Sequence, residues 1–164
     1  MGEDERELLL RLFELYLYDF SEMEHADVDA RGLFQPPALP FVERHWLDRG
    51  KHGLLLRVDD KPSGFALIRE SSPMPDSEDR RYLSAFFVMR AYRRRGIGKA
   101  MAREVFALYP GLWQVLEVRD NPVAQTFWRR VIADVTGNVY SERWLNEREI
   151  VQEFEIVAGR TESR

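Results

Sequence analysis

The chain has no cysteine among its 164 residues. Disulfides, thiolate metal sites and a cysteine nucleophile are therefore excluded, and the absence fits a reducing compartment. Histidine is scarce too: His25, His45 and His52 show no metal-ligand spacing with one another, so no metal is expected. Apolar runs stop short of membrane-spanning length and the N-terminus lacks a signal-peptide pattern. A cytoplasmic protein without a membrane partner is expected. Positive charge is in deficit, 24 Lys and Arg against 28 Asp and Glu for a net charge of −4. Such a balance does not draw nucleic acid by its long-range field, and no nucleic-acid partner is expected.

What is present is a globular composition, 45% hydrophobic and 12% aromatic. The length suits a single domain, residues 1–164, and is short for two. Residues 5–20 place Leu8, Leu9, Leu12, Leu15 and Tyr16 at helical spacing. The prolines of 34–40 predict a loop, and 41–47 a short helix. Segments 54–58 and 64–69 read as antiparallel strands around a turn at 59–63, followed by a polar loop at 71–79. Residues 83–89 are apolar and short enough for a central strand. Met101, Val105 and Leu108 mark a helix that Pro110-Gly111 ends, and 113–118 is the next strand. Asn121-Pro122 opens a helix carrying Val123, Phe127 and Val131, with Trp128 beside them. Residues 149–157 form the last strand, with 139–144 its candidate partner. The alternation of strand and helix gives a mixed α/β sheet.

Charge is unevenly distributed. Asp19, Glu22, Glu24, Asp27 and Asp29 gather after the first helix, and basic residues gather between Arg90 and Lys99. Solvated surface is the plainest reading of both, but the basic segment contains Gly96 and Gly98. There a buried strand leads through a short loop into a helix N-terminus, whose first turn presents unpaired N–H groups and a partial positive charge. Glycine lets a ligand approach the backbone and arginine donates bidentately. Together they suit a phosphate or pyrophosphate. The dinucleotide fingerprint fails at Met101, and the Walker A loop fails at Arg93 and Ala100. A loop without ligand, or an anionic-surface or nucleic-acid binder with Tyr92 as its aromatic platform, stays open on these residues alone.

Arg93-Arg94-Arg95-Gly96-Ile97-Gly98 resembles the (Gln/Arg)-x-x-Gly-x-(Gly/Ala) signature of the GNAT superfamily of acyl-CoA-dependent N-acetyltransferases. An apolar strand ends at Val88, five residues before Arg93, as that family's fourth strand does. Leu116-Glu117-Val118-Arg119-Asp120-Asn121-Pro122-Val123-Ala124 is similar to its fifth strand and following loop, one residue shorter before the asparagine than in the acetyltransferases that modify protein N-termini. The resemblance covers roughly residues 52–132.

It implies a GNAT-like mixed, mostly antiparallel, twisted sheet with helices on both faces and a splay between strands 83–89 and 113–118. It implies transfer of an acetyl group from acetyl-CoA, as cosubstrate, to a primary amine of a small molecule or peptide, by direct attack in a ternary complex. Backbone amides of Arg94, Arg95, Gly96, Ile97, Gly98 and Lys99 would hold the CoA pyrophosphate, with a side-chain contact from Arg93. Phe86 and Val88 would pair through their backbones with the acetyl carbonyl and pantetheine arm, and Asn121 would reach the pantetheine. Asn121-Pro122 is equally a good helix cap and first helical residue.

A primary amine has a pKa near 10.4, so deprotonating it at neutral pH costs roughly 4–5 kcal/mol. A general base lowers that barrier. The family often uses a Glu on its fourth or fifth strand. Tyr82 and Ala85 are not carboxylates, which leaves Glu117. Strand alternation puts Glu117 on the face of Trp113 and Val115. Burial of that face would raise its pKa and suit a base; the alternative is an exposed rim carboxylate. Trp128 holds the position of the family's acid tyrosine, leaving Tyr140, Tyr109 or water. The acidic stretch 22–29 would suit a cationic amine. The missing tyrosine motivates one rival, a catalytically impaired acyl-CoA-binding module. A homodimer stays open.

Overall fold

A computed structural model describes residues 3–158 except 36, 37, 75, 76 and 78. The elements are α1 (Glu3–Glu24), α2 (Ala38–Leu47), β1 (Lys51–Val58), β2 (Lys61–Arg69) and β3 (Arg81–Val88), then α3 (Ile97–Leu108), β4 (Gly111–Val118), α4 (Pro122–Thr136), β5 (Tyr140–Trp144) and β6 (Glu149–Ile156). The six strands form one sheet in the order β1-β2-β3-β4-β6-β5. The fold is mixed α/β with a mostly antiparallel sheet, as expected. Residues fall into two compact units, 1–69 with 85–93, and 70–84 with 94–164.

In the first unit, Leu9, Leu12 and Phe13 recur at helical spacing on α1 and meet Ala38 and Val42 of α2. Phe65 and Leu67 of β2 and Ala85 and Phe87 of β3 join that core, alternate residues of each strand sharing one face. The Phe13 and Phe87 rings lie 5.7 and 5.6 Å from Phe65. The β1–β2 connection is tighter than the expected 59–63 turn. Asp59 and Asp60 both take positive φ (49° and 60°), the signature of a two-residue turn whose twist matches the strands. Lys61–Ser63 therefore belong to β2. The loop expected to reach Pro40 ends earlier, because α2 starts at Ala38. Proline is tolerated in that first turn, where an N–H has no intrahelical acceptor. Residues 36 and 37 of that loop lie outside the described residues, as do 75, 76 and 78 of the expected 71–79 loop.

In the second unit, β4 and β6 pair antiparallel from Gly111↔Ile156 to Val118↔Glu149. The expected partner strand is β5, paired with β6 from Tyr140↔Phe154 to Trp144↔Ile150. The first residues of β3 run parallel to β4, from Arg81↔Trp113 to Leu83↔Val115, before β3 passes into the other unit. Phe106 of α3 anchors the core, 5.0 Å from the Trp113 ring, 5.1 Å from Phe154 and 6.2 Å from Trp128. Among the described residues, no helix is long and apolar enough to cross a membrane.

Candidate active site

Gly96 precedes α3 in the left-handed region (φ 79°, ψ −10°), and no side chain caps the helix there. The N–H groups of the first turn thus point outward without an intramolecular cap. A Cβ at Gly96 would meet nothing within 4 Å, so the space over the helix end is open and glycine answers the backbone angle alone. Arg94 shares the positive φ, at 60°. Arg94 and Arg95 are exposed. The site fits a diphosphate: outward amides, a helix dipole and two arginines without acidic partners among the described residues.

Glu117 is the penultimate residue of β4, in the same unit. It is 4% exposed, and neither carboxylate oxygen has a hydrogen-bond partner. Burial pushes its carboxyl up to about 8, the nearby negative Glu142 adds to this, and Arg129 opposes it. The structure thus places Glu117 on a buried face rather than on an exposed rim. One residue later β4 ends, and Asn121 caps α4, its Oδ1 accepting from Ala124 N at 3.0 Å. Pro122 follows as the first helical residue. The cap uses Oδ1, so Nδ2 is the atom a ligand can meet.

The acetyltransferase (GNAT) family profile matches residues 11–132. The chain belongs to the GNAT family of acetyltransferases. Solved structures share its fold at low identity. One is an acetyltransferase from Thermus thermophilus, 16% identical over 95% of this chain and 94% of that one, with a TM-score of 0.69. Another is the PaiA N-acetyltransferase of Thermoplasma acidophilum in complex with coenzyme A, 13% identical over 94% and 95%, TM-score 0.65. A third is Campylobacter jejuni N-acetyltransferase PseH in complex with acetyl coenzyme A, 12% identical over 94% and 92%, TM-score 0.57. No curated protein matches the chain.

Several expectations for this GNAT protein change on contact with its geometry. The Arg93 guanidinium is already occupied within its own unit. Its Nε donates to Val88 O at 2.6 Å and its Nη2 pairs with Asp19, to which Arg90 also binds at 2.9 Å. The Arg93 side chain, expected to contact pyrophosphate, forms a strut between β3 and α1 through its Nε and Nη2. Lys99 turns its ammonium to Asp134 at 3.1 Å, so only its backbone amide is directed by the helix end. Phe86 is half-buried and alternates with the core residues Ala85 and Phe87; Val88 is buried.

The acid candidates lie at the far end of β4. Tyr140 shares a register row with Phe154 and Trp113, four residues from Glu117 or about 13 Å along the strand, and Tyr109 lies farther still. Neither sits beside Glu117. Trp128 is 6% exposed and belongs to the core. Asp29, grouped with the acidic stretch, organises its own loop by accepting from Arg31 N and Leu33 N, which holds its carboxyl below the usual carboxylate range.

Two features of the site were absent from the sequence reading. Gln125 donates Nε2 to Val118 O and Arg119 O, both at 3.0 Å, and ties the end of β4 to the first turn of α4. Arg129, Glu142 and Gln152 form a polar group near Glu117. A signal for the latter existed: Gln152 is a polar residue between Ile150 and Phe154 on the inward row of its strand.

Proposed function

We propose that the protein transfers an acetyl group from acetyl-CoA to a primary amine of a small molecule or peptide, by direct attack with both substrates bound. The observation that carries this reading is the pairing, within one unit, of an uncapped helix N-terminus behind Gly96 with the buried, unpartnered Glu117 carboxyl. The first attracts an anion, and the second accepts a proton.

In this reading the amides from Arg94 to Lys99 meet the pyrophosphate, with Arg94 and Arg95 adding charge. Asn121 Nδ2 reaches the pantetheine, and the backbones of Phe86 and Val88 carry the same proposal for the acyl carbonyl and pantetheine arm. Acetyl-CoA supplies the activated acyl carbon. Ionised Glu117 takes the proton of the incoming ammonium, directly or through water, and the freed amine attacks. The attacking nitrogen sheds its second proton to water and the departing thiolate takes one up from water, since neither Tyr140 nor Tyr109 stands beside Glu117.

The raised carboxyl matters to this step. A proton leaving an amine of pKa about 10.4 for a carboxylate of ordinary affinity climbs roughly 6 units, but only about 2 to 3 for one near 8. The polyanion-binding alternative loses ground because Arg90, Arg93 and Lys99 are each paired with a carboxylate, Asp19 or Asp134.

Calorimetric titration of acetyl-CoA tests the reading. The parent is expected to bind. A Gly96→Glu, Gly98→Glu variant should bind about 10- to 100-fold more weakly, the loss expected when charge-assisted hydrogen bonds to the helix end are removed. A folded parent that does not bind would overturn the acyltransferase reading.

A further inference from the structure

The face of the sheet that carries Glu117 holds an ion pair whose arrangement bears on that carboxyl. The register sets Val115, Gln152 and Glu142 in one row across β4, β6 and β5, and Glu117, Ile150 and Trp144 in the next but one. Positions two apart on a strand share a face, so both rows project the same way. From α4, Arg129 closes on Glu142 with two parallel bonds, Nε to Oε2 at 2.8 Å and Nη2 to Oε1 at 2.9 Å. Glu142 Oε2 also accepts from Gln152 Nε2 at 2.7 Å. Gln152 is fully buried, which fixes that donor in place.

Glu142 is therefore held by three donors while Glu117 has none. The charges acting on Glu117 are Arg129 from α4 and Glu142 from β5. The residues of β6 in the two rows, Ile150 and Gln152, are uncharged. Arg119, just past β4, is drawn over the Trp144 ring at 5.7 Å. Lys99 and Arg103 of α3 are tied to Asp134 of α4.

An arginine near two carboxyls pairs with the one that offers the better fork. We propose that Glu142 is a positioning residue: anchored by Gln152, it holds the Arg129 guanidinium in a two-pronged pair and keeps it from closing on Glu117, whose carboxyl is left a proton acceptor without a counter-ion. The proposal rests on Glu117 serving as the base. If Arg129 closed on Glu117 instead, the ionised carboxylate would be stabilised and its pull on an ammonium proton weakened. The negative charge of Glu142 acts in the same direction as the sequestration, since both disfavour ionisation of Glu117.

The test is a carboxyl-carbon NMR titration of the full chain, with the Glu117 signal assigned by its loss in Glu117→Gln. The parent midpoint is expected near about 8. In Glu142→Gln the freed guanidinium meets Glu117, and the midpoint should fall by about 1 to 3 units. In Arg129→Gln it should rise. The pH profile of acetyl transfer should move with it, down in one variant and up in the other.

Opposite shifts from the two halves of one ion pair separate this role from a structural one, which would move both alike or neither. An unchanged midpoint in Glu142→Gln, or shifts of one sign in both variants, overturns the proposal. If Glu142→Gln does not fold, Arg129→Gln decides alone, and an unchanged or lowered midpoint sinks the idea. Because the titration needs no turnover, a parent inactive with acetyl-CoA would refute the acyltransferase reading without touching this result.

Discussion

Glu117→Gln is expected to lower kcat by about 100- to 10,000-fold, the range that a positioned general base contributes. The amide fills the same space but cannot accept the ammonium proton. Acetyl-CoA affinity should be nearly unchanged, since the proposed pyrophosphate contacts are backbone amides at the start of α3 and do not use the Glu117 carboxyl. In the parent, the carboxyl must ionise before it can serve, so the rate should rise with pH through about 8 and then level. The variant should lack that rise. Steady-state kinetics from about pH 6 to pH 10 would read both effects, on the same scale as the amine's own titration near 10.4.

The same substitution should act on stability with the opposite sign. The carboxyl's ordinary value is 4.5, and burial raises it to about 8 in the folded protein. Between those values the folded state holds a proton that the unfolded state has released, so stability is fully present below 4.5 and falls as pH rises to about 8. At about 1.4 kcal/mol per unit, the loss is on the order of 5 kcal/mol by alkaline pH. Glutamine does not titrate and escapes this loss. Glu117→Gln should therefore match the parent in acid and exceed it by several kcal/mol at alkaline pH, as denaturant melts at the two pH values would show. A variant that loses activity without gaining alkaline stability would mean that Glu117 acts from a solvated position.

Much of this was legible in the chain. Two glycines opening a helix are unfavourable unless something else requires them, which singled out residues 96–98. Period-two alternation correctly placed Glu117 with Trp113 and Val115. Contacts between distant residues could not be read this way. Arg93 carries the motif's first position, yet its guanidinium answers to Asp19, 74 residues earlier. Glu142 and Gln152 act near Glu117 only because β6 lies between β4 and β5, an order that spacing along the chain does not reveal. Tyr109 and Tyr140 looked eligible as acids until the strand register set them at the wrong end of β4. Pro40 read as a loop residue because proline's tolerance in a first helical turn depends on where that helix begins.

Gly64→Ala is expected to destabilise the fold at every pH. Gly64 lies inside β2 and is buried. Its backbone angle does not call for glycine; the neighbouring strand does. A Cβ there would stand 2.1 Å from Phe87 O and 3.1 Å from Phe87 C and Val88 Cα. All three are main-chain atoms and cannot rotate aside as a side chain would. Close by, Met89 N donates to Ser63 O at 2.9 Å. One methyl group must therefore push apart two backbones that are bonded a residue away. Overpacking of this kind costs about 1–3 kcal/mol and sometimes more, so a fall in Tm of about 2–12 °C is expected. The displaced segment includes Val88, whose carbonyl receives Arg93, so the Asp19 strut should loosen as well. Gly137→Ala supplies the comparison. That glycine has φ 68° and nothing within 4 Å of an added Cβ. Alanine there meets only the left-handed backbone penalty, about 1 kcal/mol. Thermal melts of the two variants would separate crowding from backbone angle. Equal losses would mean that β3 relaxes away from residue 64 and that the close approach does not hold the first unit's geometry.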